Sequence, residues 1–256
     1  MTIMTLLIKA NSSTRLKQVG SLLKAEFENL DLDFKVLGAP TNGWVQVSLS
    51  GEDEVIATNY LSREVGICPK ISKNVEKFSV QKGYISMVNY DTNELTVDFG
   101  IFEPKTIQAA IPLSSLQAQL AVGKKVSLGK ISEAYGLREG LPLSLRLIDL
   151  GGADEGRLLA ELSSAQLEKI RLWQESLLDR LIELGAKLAD ISLGLERARL
   201  NRDIIETEKL GLLEYALTCK LGTDAAGLIP RIGRYMRTAV FIVFSPSRIT
   251  KIIGET

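Results

Sequence analysis

The chain contains no histidine. That absence removes the side chain whose charge changes near neutral pH, and with it serine–histidine and cysteine–histidine catalysis and the commonest zinc ligand. Cysteine is scarce as well. Cys68 and Cys219 stand far apart in sequence, so there is no disulfide framework, and reduced, buried thiols are expected. A long apolar run is also missing. The first strand-like stretch, MTIMTLLIKA, is short and ends in polar residues, which fits neither a signal peptide nor a membrane span. A cytoplasmic protein without a membrane partner is expected. Net charge is absent too, with 31 basic against 31 acidic side chains, so bulk electrostatics name no partner. The distribution is uneven only late in the chain. Residues 154–217 carry nine basic and thirteen acidic side chains, whereas residues 218–256 carry six and two. The basic tail points towards an anionic partner.

What is present divides into three regions, and the expected fold class is multidomain α+β. Residues 1–69 read as a β-α-β-β-α unit. A strand covers 3–9, and Leu16, Val19, Leu23 and Phe27 recur at helical spacing over 13–28. A second strand covers 32–37, APTNG turns into the strand WVQVSLS, and Ser50 is placed to cap a helix over 52–64. Residues 70–78 read as a linker or entry strand. Residues 75–149 read as a small barrel of five short strands, near 80–88, 94–99, 107–112, 124–131 and 143–148, with a hairpin turn at Asp91–Asn93. LGGADEG, residues 150–156, reads as a linker. Residues 157–256 then read as a helical segment leading into a C-terminal α/β unit. Ser163 and Gln166 form a capping box, and Leu167, Ile170, Leu177, Leu178, Leu181 and Leu184 line one helix over 163–184. A strand or short helix follows near 189–193. After it come the charged ERARLNRDIIETEK, the apolar LGLLEYALTCKLG, a loop or broken helix, a basic turn of helix, and the strand 239–244.

The barrel segment resembles the S1 subclass of OB-fold RNA-binding domains. The resemblance rests on Gly83, the run Val97-Asp98-Phe99-Gly100, the run Ile111 to Leu116 and the run Val122-Gly123-Lys124-Lys125-Val126. It covers about a quarter of the chain and implies a surface for single-stranded RNA. Two departures bear on that surface: Leu95 and Val97 stand where aromatics are usual, and GIFEPKTIQAA replaces a short connection. LSREVGICPK, DFGIFEPK and CKLGTDAAGLIPRIG also make the whole chain similar to an uncharacterised archaeal family, which implies an archaeal origin but no activity.

Two groups of residues are candidates for a site. On the barrel, Lys124, Lys125 and Lys130 are placed to meet phosphates, and Tyr84, Phe99 or Phe102 to stack on bases. In the tail, Lys220, Gly222, Thr223 and Gly227 surround a helix start that could expose N–H groups to an anion. Arg231, Arg234 and Arg237, three residues apart, would then share one face of a short helix begun by Pro230. The bland reading of each group is solvent-facing lysines, core aromatics, a glycine bend and arginines paired with the acidic 203–214 segment. Glu52, Asp53 and Glu54 read as a structural helix start. Trp173 reads as packing, and Cys219 beside Lys220 as a buried thiol.

No catalytic residue, cofactor or metal is expected. The favoured function is non-enzymatic RNA binding, or association with a ribonucleoprotein, through single-stranded or looped RNA. The alternative is a scaffold that binds proteins or itself through the 163–184 helix. A third reading is an enzyme on a phosphorylated small molecule, with Asp224 as the carboxylate near Lys220.

Overall fold

Asn42 and Gly43, both at positive φ (50° and 79°), make the two-residue turn expected of an Asn-Gly pair between strands. They join β2 (Asp33–Thr41) to β3 (Trp44–Ser50) in a computed structural model that describes residues 1–254. β1 (Thr2–Lys9) pairs with β3, giving an antiparallel sheet in the order β1-β3-β2. α1 (Ser13–Glu26), capped by Ser12, and α2 (Glu54–Tyr60), prolonged by one π turn through Val65, complete the β-α-β-β-α reading. Leu6, Ile8, Leu23, Trp44, Leu49 and Leu61 are fully buried there. The second helix starts two residues later than expected. Asp53 stands at its N-cap in place of Ser50, and its carboxylate accepts the Asp31 N–H at 2.8 Å. After the π turn the chain returns along β1, with Leu7 N–H donating to Gly66 C=O and Cys68 N–H to Thr5 C=O, both at 2.9 Å. A single bridge joins Leu6 to Ile67. β4 (Lys70–Ile71) then runs parallel to part of β6 (Glu94–Glu103). Gly100 in β6 has φ of 90° and lies on Cys68, where a Cβ would meet Sγ at 2.7 Å, so glycine is required. These residues, Met1–Val75 with Phe99–Ile107, form one compact unit.

The second unit, Glu76–Asp98 with Gln108–Thr256, holds the barrel and the C-terminal sheet. β5 (Val80–Asn89) pairs with β6 and with β8 (Pro142–Asp149), and β8 pairs with β9 (Arg157–Leu162), all antiparallel. β9 runs parallel to β7 (Ile107–Pro112), and a β6–β7 pairing closes a five-stranded ring. α3 (Leu113–Leu120) and α4 (Leu128–Tyr135) connect β7 to β8.

Two expectations for the barrel are corrected. Residues 124–131 are not its fourth strand. Ser127 accepts the Lys130 N–H and starts α4, whose Leu128, Ile131 and Tyr135 are buried at helical spacing. The missing strand is β9, so LGGADEG is no linker. It turns β8 into β9 through a short 3-10 segment, Ala153–Glu155.

α5 (Ser164–Glu175) begins at the expected cap, where Ser163 Oγ accepts the Gln166 N–H at 3.2 Å. It does not run to 184. Leu177 adopts φ of 56°, the chain leaves the helix, and residues 180–184 form β10 (Arg180–Leu184). The leucine stripe is thus shared between a helix, a turn and a strand, because a strand buried on both faces places leucines at spacings that a helix also uses. α6 (Leu188–Ala198), β11 (Ile204–Lys209), β12 (Glu214–Cys219), α7 (Ala225–Ile232), β13 (Val240–Phe244) and α8 (Pro246–Gly254) follow. The charged and apolar segments around 196–220 therefore supply two strands, β11 and β12. The sheet is antiparallel in the order β11-β12-β10-β13. With two helices on one face, this is the split β-α-β-β-α-β arrangement of ferredoxin-like units. The chain as a whole is mixed α+β, with an α/β unit, a closed barrel and a second α/β unit following one another in sequence. No helix among the described residues is long and apolar enough to cross a membrane.

Candidate functional site

The register of the C-terminal sheet decides which side chains face which way. Leu181, Leu217, Tyr215 and Cys219 lie on the face covered by α6 and α7, in one buried cluster with Ile191, Leu195, Leu228 and Ile232. Arg180 pairs with Thr218 and Phe244, and Ile182 with Ala216 and Ile242, so these residues share the opposite face. In an RNA-binding sheet of this topology that second face is open and carries aromatics. Here it is covered by α5. Trp173 of α5 meets Phe244 edge-on, with centroids 5.1 Å apart, and Tyr135 of α4 lies 6.5 Å beyond.

A gap is left in this packing. It is a cavity of 220 Å³ between the sheet, α5 and the rim of the barrel. Its floor is apolar and closed, since Ile182 and Phe244 are each only 1% exposed. Tyr135, Leu143, Ile170 and Trp173 wall it. Its mouth is cationic, with Lys82 from β5, Lys169 from α5 and Lys209 from β11.

One carboxylate organises the mouth. Glu208 accepts Trp173 Nε1–H at 3.0 Å and pairs with Lys169 Nζ at 2.7 Å. Lys169 also lies over the Trp173 ring at 5.9 Å and Arg180 at 5.0 Å, so the indole has two cations in contact with its ring. Arg180 is buried and donates to Trp173 C=O, Ser176 Oγ and Leu178 C=O, at 2.9 to 3.2 Å. Burial lowers its pKa, against the pull of Glu208 and Glu206. Burial likewise raises that of Tyr135, whose hydroxyl donates to Leu120 C=O at 2.5 Å. Lys82 and Lys209 are exposed and pair with no carboxylate among the described residues. The arrangement can therefore hold a group with an apolar body and an anionic neighbour.

The residues singled out in the sequence lie elsewhere. Tyr84, Phe99 and Phe102 are 7%, 0% and 8% exposed, so all three fill cores and none offers a stacking surface. The large apolar side chains of a short strand are its main means of burial, which outweighs display. Lys124 is exposed, but its Nζ donates to Ile253 C=O at 3.1 Å at the end of α8. Lys125 and Lys130 are exposed on either side of the start of α4.

In the tail, Asp224 caps α7, its two carboxylate oxygens accepting Ala226 N–H at 3.0 Å and Gly227 N–H at 3.2 Å. Asp179 accepts the Ala225 N–H at 3.3 Å. The N–H groups that an anion would need are thus taken by two carboxylates, and the same bonds occupy the carboxylate a phosphate-directed enzyme would use. Lys220, Gly222 and Thr223 line a separate groove of 190 Å³ with Asp179 and Asp224.

Pro230 lies inside α7 and does not begin it. Arg231 is on the helix, donating to Ala198 C=O at 3.3 Å and 3.8 Å from Asp203, whereas Arg234 and Arg237 follow in the turns before β13. The three share no helical face. Arg234 and Arg237 are exposed on either side of exposed Tyr235.

Cys68 and Cys219 are buried thiols, not joined in a disulfide. Burial pushes the Cys219 thiol up to about 11, with Asp179 reinforcing, so it is unreactive at neutral pH. Glu54 accepts from Thr2 Oγ1 and lies 3.5 Å from the terminal amine, a structural role as expected.

Residues 2–70 match the DUF2110 N-terminal domain, and residues 178–244 match the DUF2110 C-terminal domain. Together the matches cover just over half of the chain. The protein belongs to the DUF2110 family. In this DUF2110 protein the C-terminal match spans the C-terminal sheet from β10 to β13 with α6 and α7, and the N-terminal match ends in β4. Neither description names an activity. No curated protein matches the chain.

Proposed function

We propose that this protein is a non-enzymatic RNA-binding protein that holds single-stranded or looped RNA at the lysine-ringed cavity. The observation that carries this reading is the convergence of Lys82, Lys169 and Lys209, from three elements distant in sequence, on one apolar cavity. Lysines at a cavity mouth suit phosphates, and the buried floor suits an unpaired base. In this reading the barrel is an S1-like OB barrel, the protein is archaeal and cytoplasmic, and Arg234, Tyr235 and Arg237 with Lys125 and Lys130 extend the contact with the backbone. The barrel serves as a frame for Lys82 and Ser144, and its own aromatics stay inside.

The test is binding to a mixed pool of short RNAs at several salt concentrations, for the wild type and for Lys82→Glu/Lys209→Glu. Loss of the two lysines is expected to weaken binding and to reduce the slope of log K against log salt by about 1.4, at roughly 0.7 per single-strand phosphate contact. Binding that the double variant keeps would place the RNA elsewhere. No binding at low salt would end the RNA reading.

A second reading, a protein-binding scaffold, is favoured by an open groove of 970 Å³ along β13, where Met87, Tyr90 and Val240 are exposed. Affinity that persists at high salt would favour it.

A further inference from the structure

The cavity has a closed apolar floor and a cationic mouth, and this limits what part of a strand it can take. A strand passing through a site needs a way in and a way out. Ile182 and Phe244 seal the sheet side, Leu143 lies on the barrel side and Ile170 with Trp173 on the helix side, all of them buried. The volume of 220 Å³ is also below the range of about 300–1,000 Å³ found for pockets that enclose a drug-sized ligand. One base fits, with the rest of the chain outside.

The charge at the mouth carries the inference further. Glu208 already neutralises Lys169, which leaves Lys82 and Lys209 without a carboxylate partner. A phosphodiester brings one negative charge, whereas a terminal phosphate monoester brings about 1.5 to 2 at neutral pH. Two unneutralised lysines therefore match a terminal phosphate better than a backbone one. Polar groups are present at the same mouth. Gln166 accepts the Ser144 N–H through Oε1 at 3.2 Å, which directs its amide, and Ser144 Oγ is 2.9 Å from Ser163 Oγ.

We propose that the cavity recognises the phosphorylated end of a single RNA strand, with the terminal base on the apolar floor and the terminal phosphate between Lys82 and Lys209. This rests on the RNA-binding reading above and narrows it from a strand to its end.

The test uses Trp173 fluorescence in full-length protein carrying Trp44→Phe, so that the one remaining indole lies in the cavity wall. The ligands are one 20-nucleotide RNA sequence in 5′-phosphorylated, 3′-phosphorylated, hydroxyl-ended and covalently circular forms, together with free nucleoside monophosphates. At least one phosphorylated linear form should bind about tenfold tighter than the hydroxyl-ended and circular forms, the scale of one charge-assisted contact. Lys82→Ala/Lys209→Ala should erase that difference. Leu210→Phe, which sets a bulkier ring among the residues lining the cavity without adding a second indole, should abolish binding to the phosphorylated form in a protein of unchanged thermal stability. Equal affinity for circular and linear RNA would overturn end recognition while leaving RNA binding intact. A free nucleotide that binds as tightly as the phosphorylated strand would overturn it in favour of a nucleotide ligand. Binding by none of the RNAs would overturn both readings.

Discussion

The N-terminal and C-terminal α/β units are built on one connectivity. In each, a first strand is followed by a helix, an antiparallel hairpin and a second helix, and the third strand lies between the first and the second: β1-β3-β2 in one, β10-β12-β11 in the other. In each the second strand is an edge strand with an irregular register, at Gly38 and at Ile204–Glu206, which is one way of blunting an exposed edge. They differ in the fourth strand. In the C-terminal unit, β13 pairs with β10 over five residues and puts Phe244 on the second face. In the N-terminal unit the same place holds one bridge, Leu6 to Ile67, and the chain moves on into β4. A fully paired fourth strand gives the C-terminal sheet a face wide enough to floor a cavity. One topology thus leaves a cavity in one unit and a packed core in the other.

Each unit contains one tryptophan, Trp44 in the first and Trp173 in the second, so variants retaining a single indole report on the units separately. The largest effect is expected at the fourth strand. Phe244→Ala should cost about 3–5 kcal/mol in the Trp173-reported transition, as a buried aromatic truncation does. Ile67→Ala should cost about 1 kcal/mol or less in the Trp44-reported one, since Ile67 is partly exposed. Equal losses in urea melts would break the comparison.

Next is the hairpin. Gly43→Ala forces a side chain into a left-handed turn and towards Asn11, and should lower the Trp44-reported stability by about 1–2 kcal/mol with no change at Trp173.

The smallest effect is alkaline. Burial raises Cys219 from 9.0 to about 11 in the C-terminal unit, and raises Tyr60 from 10.0 to about 12 in the N-terminal one. Tyr135 is raised as well. In each case the folded state keeps its proton after the unfolded state has lost it, so stability falls as pH rises through the interval. Urea midpoints should therefore begin to drop near pH 9 for the Trp173 reporter and near pH 10 for the Trp44 reporter. Cys219→Ala should delay the earlier onset towards pH 10, and an unchanged onset would remove the assignment.

The same two regions explain what could be read from sequence. The N-terminal unit is built from local signals: Asn42-Gly43 at the turn, and Val19, Leu23 and Phe27 along α1. Each marks an element by near neighbours, and the order of elements was legible. Ser163 and Gln166 marked the start of α5 for the same reason. Where burial is two-sided, periodicity fails. Leu177 to Leu184 continued a helical stripe by coincidence, and β9, RLLAEL, was absorbed into a helical region because its partners β7 and β8 lie elsewhere in the chain. VGKKVSL alternated like a strand, although Val122 and Gly123 turn the chain and Ser127 starts a helix.

The site was less legible than the fold. Lys82, Lys169 and Lys209 are spread over 128 positions of sequence, and only the Lys169–Trp173 spacing of four gave a local sign of pairing. The aromatics Tyr84, Phe99 and Phe102 were conspicuous because they are large, and being large they are inside.

β13 is the last strand of its sheet in chain order, yet it contributes the floor of the cavity and the partner of Trp173. During vectorial synthesis the N-terminal unit can settle early, since chains emerge at about 5–20 residues per second. The barrel, α5 and three strands of the C-terminal sheet are also exported before Phe244 leaves the ribosome. Until then β10 has a bare edge and the floor of the cavity lacks Phe244. Completion of the cavity is thus a late event in biogenesis, and under the proposed reading a ligand that fits it would favour chains that include β13 over chains truncated before it.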